Sequence, residues 1–308
     1  MRKPDNINRK IILGRIYETQ QLSAAVVFLV PVLIAVVMLF IIPVLQVVGY
    51  SFTSFNMNTG KGSWVGLSNF KYLIEDELFW KSLRNTVCFA GLKLVFDTLL
   101  ALVIALMLDT RLPLRKYLRS SFFAPVVVPM VASSLIWIWF FDPGVGPFNQ
   151  ILNFLGLPSL QWLYSEKTSL ASILLFSIWK GVGYNVMLFL TGLQNIPDSY
   201  LEAAKVDGAT SWQSLIHIKL PLLRPIMNFV VMIGIINTFK VFAEINVMTP
   251  KGGPLYSTAL AVNYIYEQAF TRGKMGRGCA AAICLFIIIF ILTQIQARMN
   301  ASKTVDYD

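Results

Sequence analysis

PDSYLEAAKVDGATSWQSLIHIKLPLLRP, residues 197–225, lies between two strongly apolar runs and carries more structure than a simple connection requires. Ser199 with Glu202, and Thr210 with Gln213, have the spacing of a capping box, in which paired side chains satisfy backbone donors at a helix start. Pro197 helps to end the preceding helix. The pattern predicts a short helix to Val206, a break at Gly208, and a second short helix with Trp212, Leu215 and Ile216 on one side, ended or turned at Pro221. The plain reading is a helical hairpin on a membrane surface, with Glu202 only a cap. It does not explain Leu201, Ala203, Ala204, Trp212 and Ile216 in a loop that faces water. Small residues at Ala203 and Ala204 admit close approach, so the segment reads as a knob that docks in a groove of another protein.

The rest of the chain supplies the membrane. Of its 308 residues 56% are apolar and only 14% charged, with mean hydropathy +0.64. A soluble domain is about a quarter charged. The apolar excess is concentrated in runs near the ~20 residues that a spanning helix needs. Six spans are predicted, at about 24–50, 83–108, 121–141, 168–193, 225–247 and 277–297. The fold class is therefore all-α integral membrane. Pro31 and Pro43 are expected to tilt, kink or shorten the first span, and Pro125 and Pro129 to bend the third. The first run is too long for a cleaved signal peptide, so an uncleaved anchor is expected.

Basic residues favour the cytoplasmic side. With the N-terminus inside, Arg2, Lys3, Arg9, Lys10 and Arg15, then Arg111, Arg115, Lys116 and Arg119, flank the first spans from within. Both termini and the 197–225 loop are then cytoplasmic. The organisation expected is a cytoplasmic segment over 1–22, a permeating domain over 23–298 with the loop at 197–221, and a cytoplasmic tail over 299–308. Outside, 66–86 reads as an interfacial amphipathic helix, with Phe70, Leu73, Ile74 and Leu78 on one face and Trp80 at headgroup level. The segment 249–276 is too polar at its ends to span, and its centre is expected to dip back into the protein.

Several function classes are excluded. The net charge of +10 suits cytoplasmic loops better than nucleic acid, since no basic patch alternates with exposed aromatics. Cys88, Cys279 and Cys284 lie in apolar runs and read as packing residues. One histidine, His217, with no cysteine pair at ligand spacing, offers no metal site. There is no catalytic triad, and Gly60-Lys61-Gly62-Ser63 lacks the spacing of a phosphate-binding loop, so the chain is not read as an enzyme.

Polar groups in spans are costly and so informative. Lys93 and Asp97 are four apart on one face and are expected to pair, most simply as a structural ion pair. In the fourth span Ser177, Gly181 and Tyr184 share a face, with Trp179 and Lys180 close by. In the fifth, Asn237, Lys240 and Glu244 fall at i, i+3 and i+7. The two faces are read as walls of a mid-membrane cavity suited to sugar, aromatic faces covering C–H patches while amides and charges bond hydroxyls. Interhelical polar contacts, with Lys240 and Glu244 neutralising each other, are the simpler alternative. Gly276, Gly278, Ala280, Ala281 and Ala282 suggest close helix packing, against a second permeating chain.

One resemblance unites these features. Glu202-Ala203-Ala204, Gly208, Ile218 and Leu220-Pro221 match at every position the EAA motif of permease subunits of binding-protein-dependent ABC importers. VGLSNFKYLIEDELFWKSLRNT, WIWFFDPGVGPFN, TGLQNIP, GGPLYST and YIYEQAF resemble the carbohydrate-uptake branch, related to maltose and glycerol-3-phosphate importers, over nearly the whole chain after about residue 20. The resemblance implies the type I importer permease fold in a bacterial or archaeal cytoplasmic membrane. It implies that Glu202, Ala203, Ala204 and Gly208, with Asp207 and Trp212 beside them, dock in a cleft of an ATPase subunit. The implied partners are a second, related permease, two ATPase subunits that bind ATP and Mg, and an extracytoplasmic solute-binding protein that delivers a di- or oligosaccharide. This chain would hold no cofactor. Related permeases contact sugar from the fourth and fifth spans, and Ser177, Gly181, Tyr184, Asn237 and Lys240 fall at or near those positions. Lys240 leaves room for glycerol-3-phosphate or another anionic solute. An ion-coupled secondary transporter, using Lys93/Asp97 or Lys240/Glu244, is the rival from another class.

Overall fold

The computed structural model describes residues 9–12, 15–110 and 115–301. The outer parts of the N-terminal segment and the tail expected at 299–308 fall largely outside them. The protein is mostly helical. Among the described residues the exception is a short antiparallel pair, β1 (Arg9–Ile12) and β2 (Arg15–Glu18), with Arg9 opposite Glu18. Among the described residues five helices are long and apolar enough to cross a membrane, or six if one sharply bent pair counts as a single span.

The first span is α1 (Thr19–Val36), a π turn over Val37–Ile41, and α2 (Ile42–Ser51). Pro31 is accommodated without a break. Pro43 has no N–H for the carbonyl one turn back, and the wider π turn lies directly before it, with Ile42 N–H bonding Val37 O. The span therefore runs on to Ser51 instead of ending early. The most apolar window of this span is wholly unburied, and α2 alone packs on the last helix.

The expected amphipathic helix over 66–86 is two elements, α3 (Ser68–Glu75) and the start of α4 (Glu77–Asp109). Asp76 separates them by capping α4, its Oδ1 accepting from Leu78 N at 2.9 Å. Leu78 thus belongs to the second span. The third span is broken into α5 (Arg115–Val127) and α6 (Met130–Phe140), bent by 99°. Pro125 and Pro129 predicted a bend, and Pro129 makes it a break because its extended backbone caps α6.

A short helix, α7 (Pro147–Phe154), leads to α8 (Ser169–Gln194). Beyond the loop helices α9 (Asp198–Val206), α10 (Ser211–Ser214) and α11 (Leu220–Leu222), the fifth span is α12 (Arg224–Phe239), a break at Lys240–Phe242, and α13 (Ala243–Met248). The segment after it forms tight turns and α14 (Ala261–Tyr266), packed on α4 and on α15 (Met275–Ala301).

The centre of the fold is the α4–α8 pair. Ala101 and Ala105 on α4, fully buried, let α8 approach with Val186, Phe189 and Leu190. Small residues of α15 are used within this chain rather than kept for another. A side chain at Gly278 would collide with Ala269 at 2.7 Å, one at Gly276 with the Thr53 carbonyl, and Ala280 and Ala281 are buried. That corrects the expectation of a small-residue face against a second permease. Cys88, Cys279 and Cys284 are free thiols.

Candidate translocation cavity and docking loop

A cavity of about 430 Å³ opens at mid-span where α4, α6, α8 and the α12–α13 break meet. Ser177, Gly181, Asn237, Lys240 and Glu244 line it together with Lys93, Met130, Lys180 and Val241–Ala243. Five of the seven residues predicted for the substrate pathway thus meet. Trp179 and Tyr184 do not. Trp179 turns to Trp137, with ring centroids 5.1 Å apart, and Tyr184 lies a turn further along α8.

The polar walls are tightly organised. Lys93 Nζ donates to Asp97 Oδ2 at 2.6 Å and to the Ser177 carbonyl at 2.8 Å, so the pair ties α4 to α8. A Cβ on Gly181 would come within 3.0 Å of that ammonium, which is why the close approach takes glycine. Glu244 is buried and accepts from Ser177 Oγ at 3.1 Å. Among the described residues Lys240 has no carboxylate within ion-pair distance, so the alternative in which Lys240 and Glu244 neutralise each other does not occur. The helix ends at Phe239, and the i, i+4 geometry that would join them is lost.

Sequence reasoning missed the work of Lys180. Its Nζ donates to the carbonyls of Pro125 at 2.6 Å and Val126 at 3.1 Å. These carbonyls end α5, where the break leaves them without helical donors. At membrane depth such groups must be satisfied internally. The signal was present as a lone lysine in one span opposite two prolines in another, but the pairing is not local.

At the other end of the bundle, α9 closes in a Schellman motif. Gly208, at φ +78°, bonds Lys205 O through its N–H at 3.1 Å, and Ala209 N–H bonds Ala204 O at 2.9 Å. The capping box at Thr210 forms as predicted, with Gln213 N donating to Thr210 Oγ1 and Thr210 N to Gln213 Oε1. The one at Ser199 does not. Helix α9 already starts at Asp198 behind Pro197, so Ser199 and Glu202 are interior and Glu202 caps nothing. Pro221 lies one residue before the helix ends and marks the turn into α12, one of the two roles expected of it. A π turn over Leu215–Lys219 absorbs it, and helix continues to Leu222.

The loop is fixed to the bundle by Lys219, whose Nζ lies 2.7 Å from Asp109 Oδ2 at the end of α4, and by buried Leu223 and Ala204. Its outer side keeps Tyr200, Val206 and Trp212 exposed, Val206 at 87% and Trp212 at 68%. Glu202, Ala203, Asp207 and Gly208 are exposed as well, while Ala204 faces inward. Between the two helices a shallow depression of about 300 Å³ is bordered by Asp207, Gly208, Gln213 and His217.

A family described as binding-protein-dependent transport system inner membrane component matches residues 97–304. The chain belongs to this family. The matched stretch contains both the cavity-forming part of α8 to α13 and the capped loop, so this transport component is a multi-pass membrane protein. It is 32% identical over 276 residues to the probable ABC transporter permease protein YurN of Bacillus subtilis, covering 88% of this chain and 94% of that protein. It is 30% identical over 282 residues to the arabinooligosaccharides transport system permease protein AraP of the same organism, covering 91% and 89%. The fold is shared with the crystal structure of a bacterial ABC transporter involved in the import of the acidic polysaccharide alginate. The TM-score is 0.82 and the identity 23%, over 93% of this chain and 98% of that one.

Proposed function

We propose that this transport component is one of two permease subunits of an ATP-driven importer. It forms half of the pathway for a di- or oligosaccharide handed over by an extracytoplasmic binding protein. The observation that carries this reading is the exposed helix–glycine–helix knob of 198–222, held to the bundle end by Lys219–Asp109. ATPase subunits that close around ATP and Mg would pull on this knob, with Glu202, Ala203, Asp207, Gly208 and Trp212 at the contact and Ala204 packing beneath it. The pull would reorient the bundle between outward and inward openings, a rigid-body switch. In this orientation both termini and the knob are cytoplasmic.

The mid-span cavity supplies the pathway. Ser177, Gly181, Asn237, Lys240 and Glu244 present hydroxyl, amide and charge at a site where polar groups are otherwise costly. Relatives named for arabinooligosaccharides and for starch degradation products support a carbohydrate. A second reading, an anionic sugar or glycerol-3-phosphate, is favoured by the ammonium of Lys240, which has no ion-pair partner among the described residues. A relative named for sulfoquinovosyl glycerol is consistent with it. Ion-coupled transport is not favoured, since Lys240 and Glu244 do not pair and Lys93–Asp97 is closed onto the Ser177 carbonyl.

Purification of the chain from native membranes in mild detergent tests the reading. Recovery of an ATPase, a second permease and a binding protein that retains a sugar is the expected result. A chain that purifies alone and still transports after reconstitution would overturn it.

A further inference from the structure

A second cavity, of about 340 Å³, lies at the opposite end of the bundle from the docking loop, under the turns that follow α13. That volume is within the range of small-molecule sites. Asn246, Lys251, Tyr256, Asn263, Tyr266 and Arg272 are in its wall. The Oδ1 of Asn263 is shielded from solvent and has no hydrogen-bond partner among the described residues. Arg272 is neutralised by Glu267, at 2.6 Å and 3.0 Å.

The backbone of this wall is unusual. Lys251 and Tyr256 both have positive φ, at 62° and 58°, a conformation that non-glycine residues avoid. It is held from outside the turn. Asn85 Nδ2 lies within 3.1–3.2 Å of the carbonyls of Tyr256, Ser257 and Ala259. Lys81 Nζ donates to the Leu255 carbonyl at 2.7 Å. Strain held in place by its surroundings is found at ligand clamps.

A pair of touching rings lies between the two cavities. Phe242 lines the mid-span cavity and Tyr266 lines the outer one, and their ring centroids are 5.1 Å apart. Phe270 extends the series, 5.3 Å from Tyr266. Tyr266 and Phe270 are exposed rather than packed away. Helix α13 connects the same two sites, with Glu244 in one wall and Asn246 in the other.

We propose that the outer cavity is a sugar-binding subsite on the entry path, and that Phe270, Tyr266 and Phe242 form a stacking track that passes pyranose or furanose units to the mid-span cavity. The C–H faces of a sugar ring lie flat on these aromatics while Asn246, Asn263 and Lys251 bond its hydroxyls. The inference rests on the sugar-importer reading above.

The test uses the intact complex in liposomes with its binding protein. The probes are radiolabelled gluco-, arabino-, galacto- and manno-trisaccharides and their monosaccharides. With the sugar that the wild type takes up, Tyr266→Leu and Phe270→Leu should each raise the half-saturating concentration about tenfold. Tyr266→Phe, which keeps the ring, should stay near wild type. Unchanged uptake in both leucine variants of an assembled complex would overturn the track while leaving the importer reading intact. Uptake of none of the probes by the wild type would overturn both. In a parallel measurement on a background of Cys88→Ala, Cys279→Ala and Cys284→Ala, Tyr266→Cys should react with a membrane-impermeant maleimide added outside. A thiol shielded there by the second permease would also overturn the subsite.

Discussion

The docking reading makes its sharpest prediction at Gly208. The residue sits at φ +78° and closes α9 through its N–H bond to Lys205 O. A Cβ built there meets nothing within 4 Å. Gly208→Ala therefore keeps the turn and carries only the left-handed penalty, roughly 1–2 kcal/mol. Gly208→Pro cannot keep it. Proline holds φ near −65°, so this dihedral must swing by roughly 140°, and the bond to Lys205, worth about 1 kcal/mol, is lost. The direction of the chain between α9 and α10 changes, and with it the relative placement of Ala203 and Trp212. Purified complexes reconstituted in liposomes would be assayed for ATP-driven uptake and for retention of the ATPase. The alanine variant should transport at near wild-type rate. The proline variant should insert normally, lose its ATPase and not transport. Coupled uptake by Gly208→Pro at wild-type rate would refute the argument that this turn positions the docking knob.

Three other predictions concern the cavity. Lys93→Met leaves Asp97 buried without its partner and should cost about 3–5 kcal/mol, while Lys93→Met with Asp97→Leu should recover most of it. Thermal unfolding of all four forms in detergent gives the cycle, and a double variant as unstable as the single one would contradict the clamp. Lys180→Met strips the donors from the Pro125 and Val126 carbonyls, about 1–3 kcal/mol for each group left unsatisfied. It should lower the melting temperature of the complex, and an unchanged melting point would mean that the break in the third span is satisfied otherwise. Asn237→Ala and Lys240→Met should each raise the half-saturating sugar concentration by about fivefold if one hydrogen bond is lost. Identical uptake curves for both would remove these residues from the pathway.

Much of this molecule was legible before folding was considered, wherever cause and effect lie within a few residues. Apolar runs set the spans because a helix in lipid must satisfy its own backbone. The Thr210–Gln213 box and the glycine at 208 follow from groups three or four residues apart. The Lys93–Asp97 pair lies on one face of one helix. Even there, local reading overreached at Ser199, where Pro197 starts the helix two residues earlier, and at Pro43, where a π turn carries the helix past a residue expected to stop or bend it.

Other features depended on which elements meet. No spacing tells that Lys180 finds the two carbonyls freed by Pro129, or that Glu244 takes its hydrogen bond from Ser177 and leaves Lys240 open to the cavity. Nor does spacing show that Phe242 and Tyr266, on either side of a loop and each lining a different cavity, touch. The sequence by itself determined the membrane class, the motif of the docking loop and the residue types of the pathway, because hydropathy and capping are short-range. The tertiary structure alone decided which polar groups are already satisfied and which remain to bind, because that depends on partners more than fifty residues away.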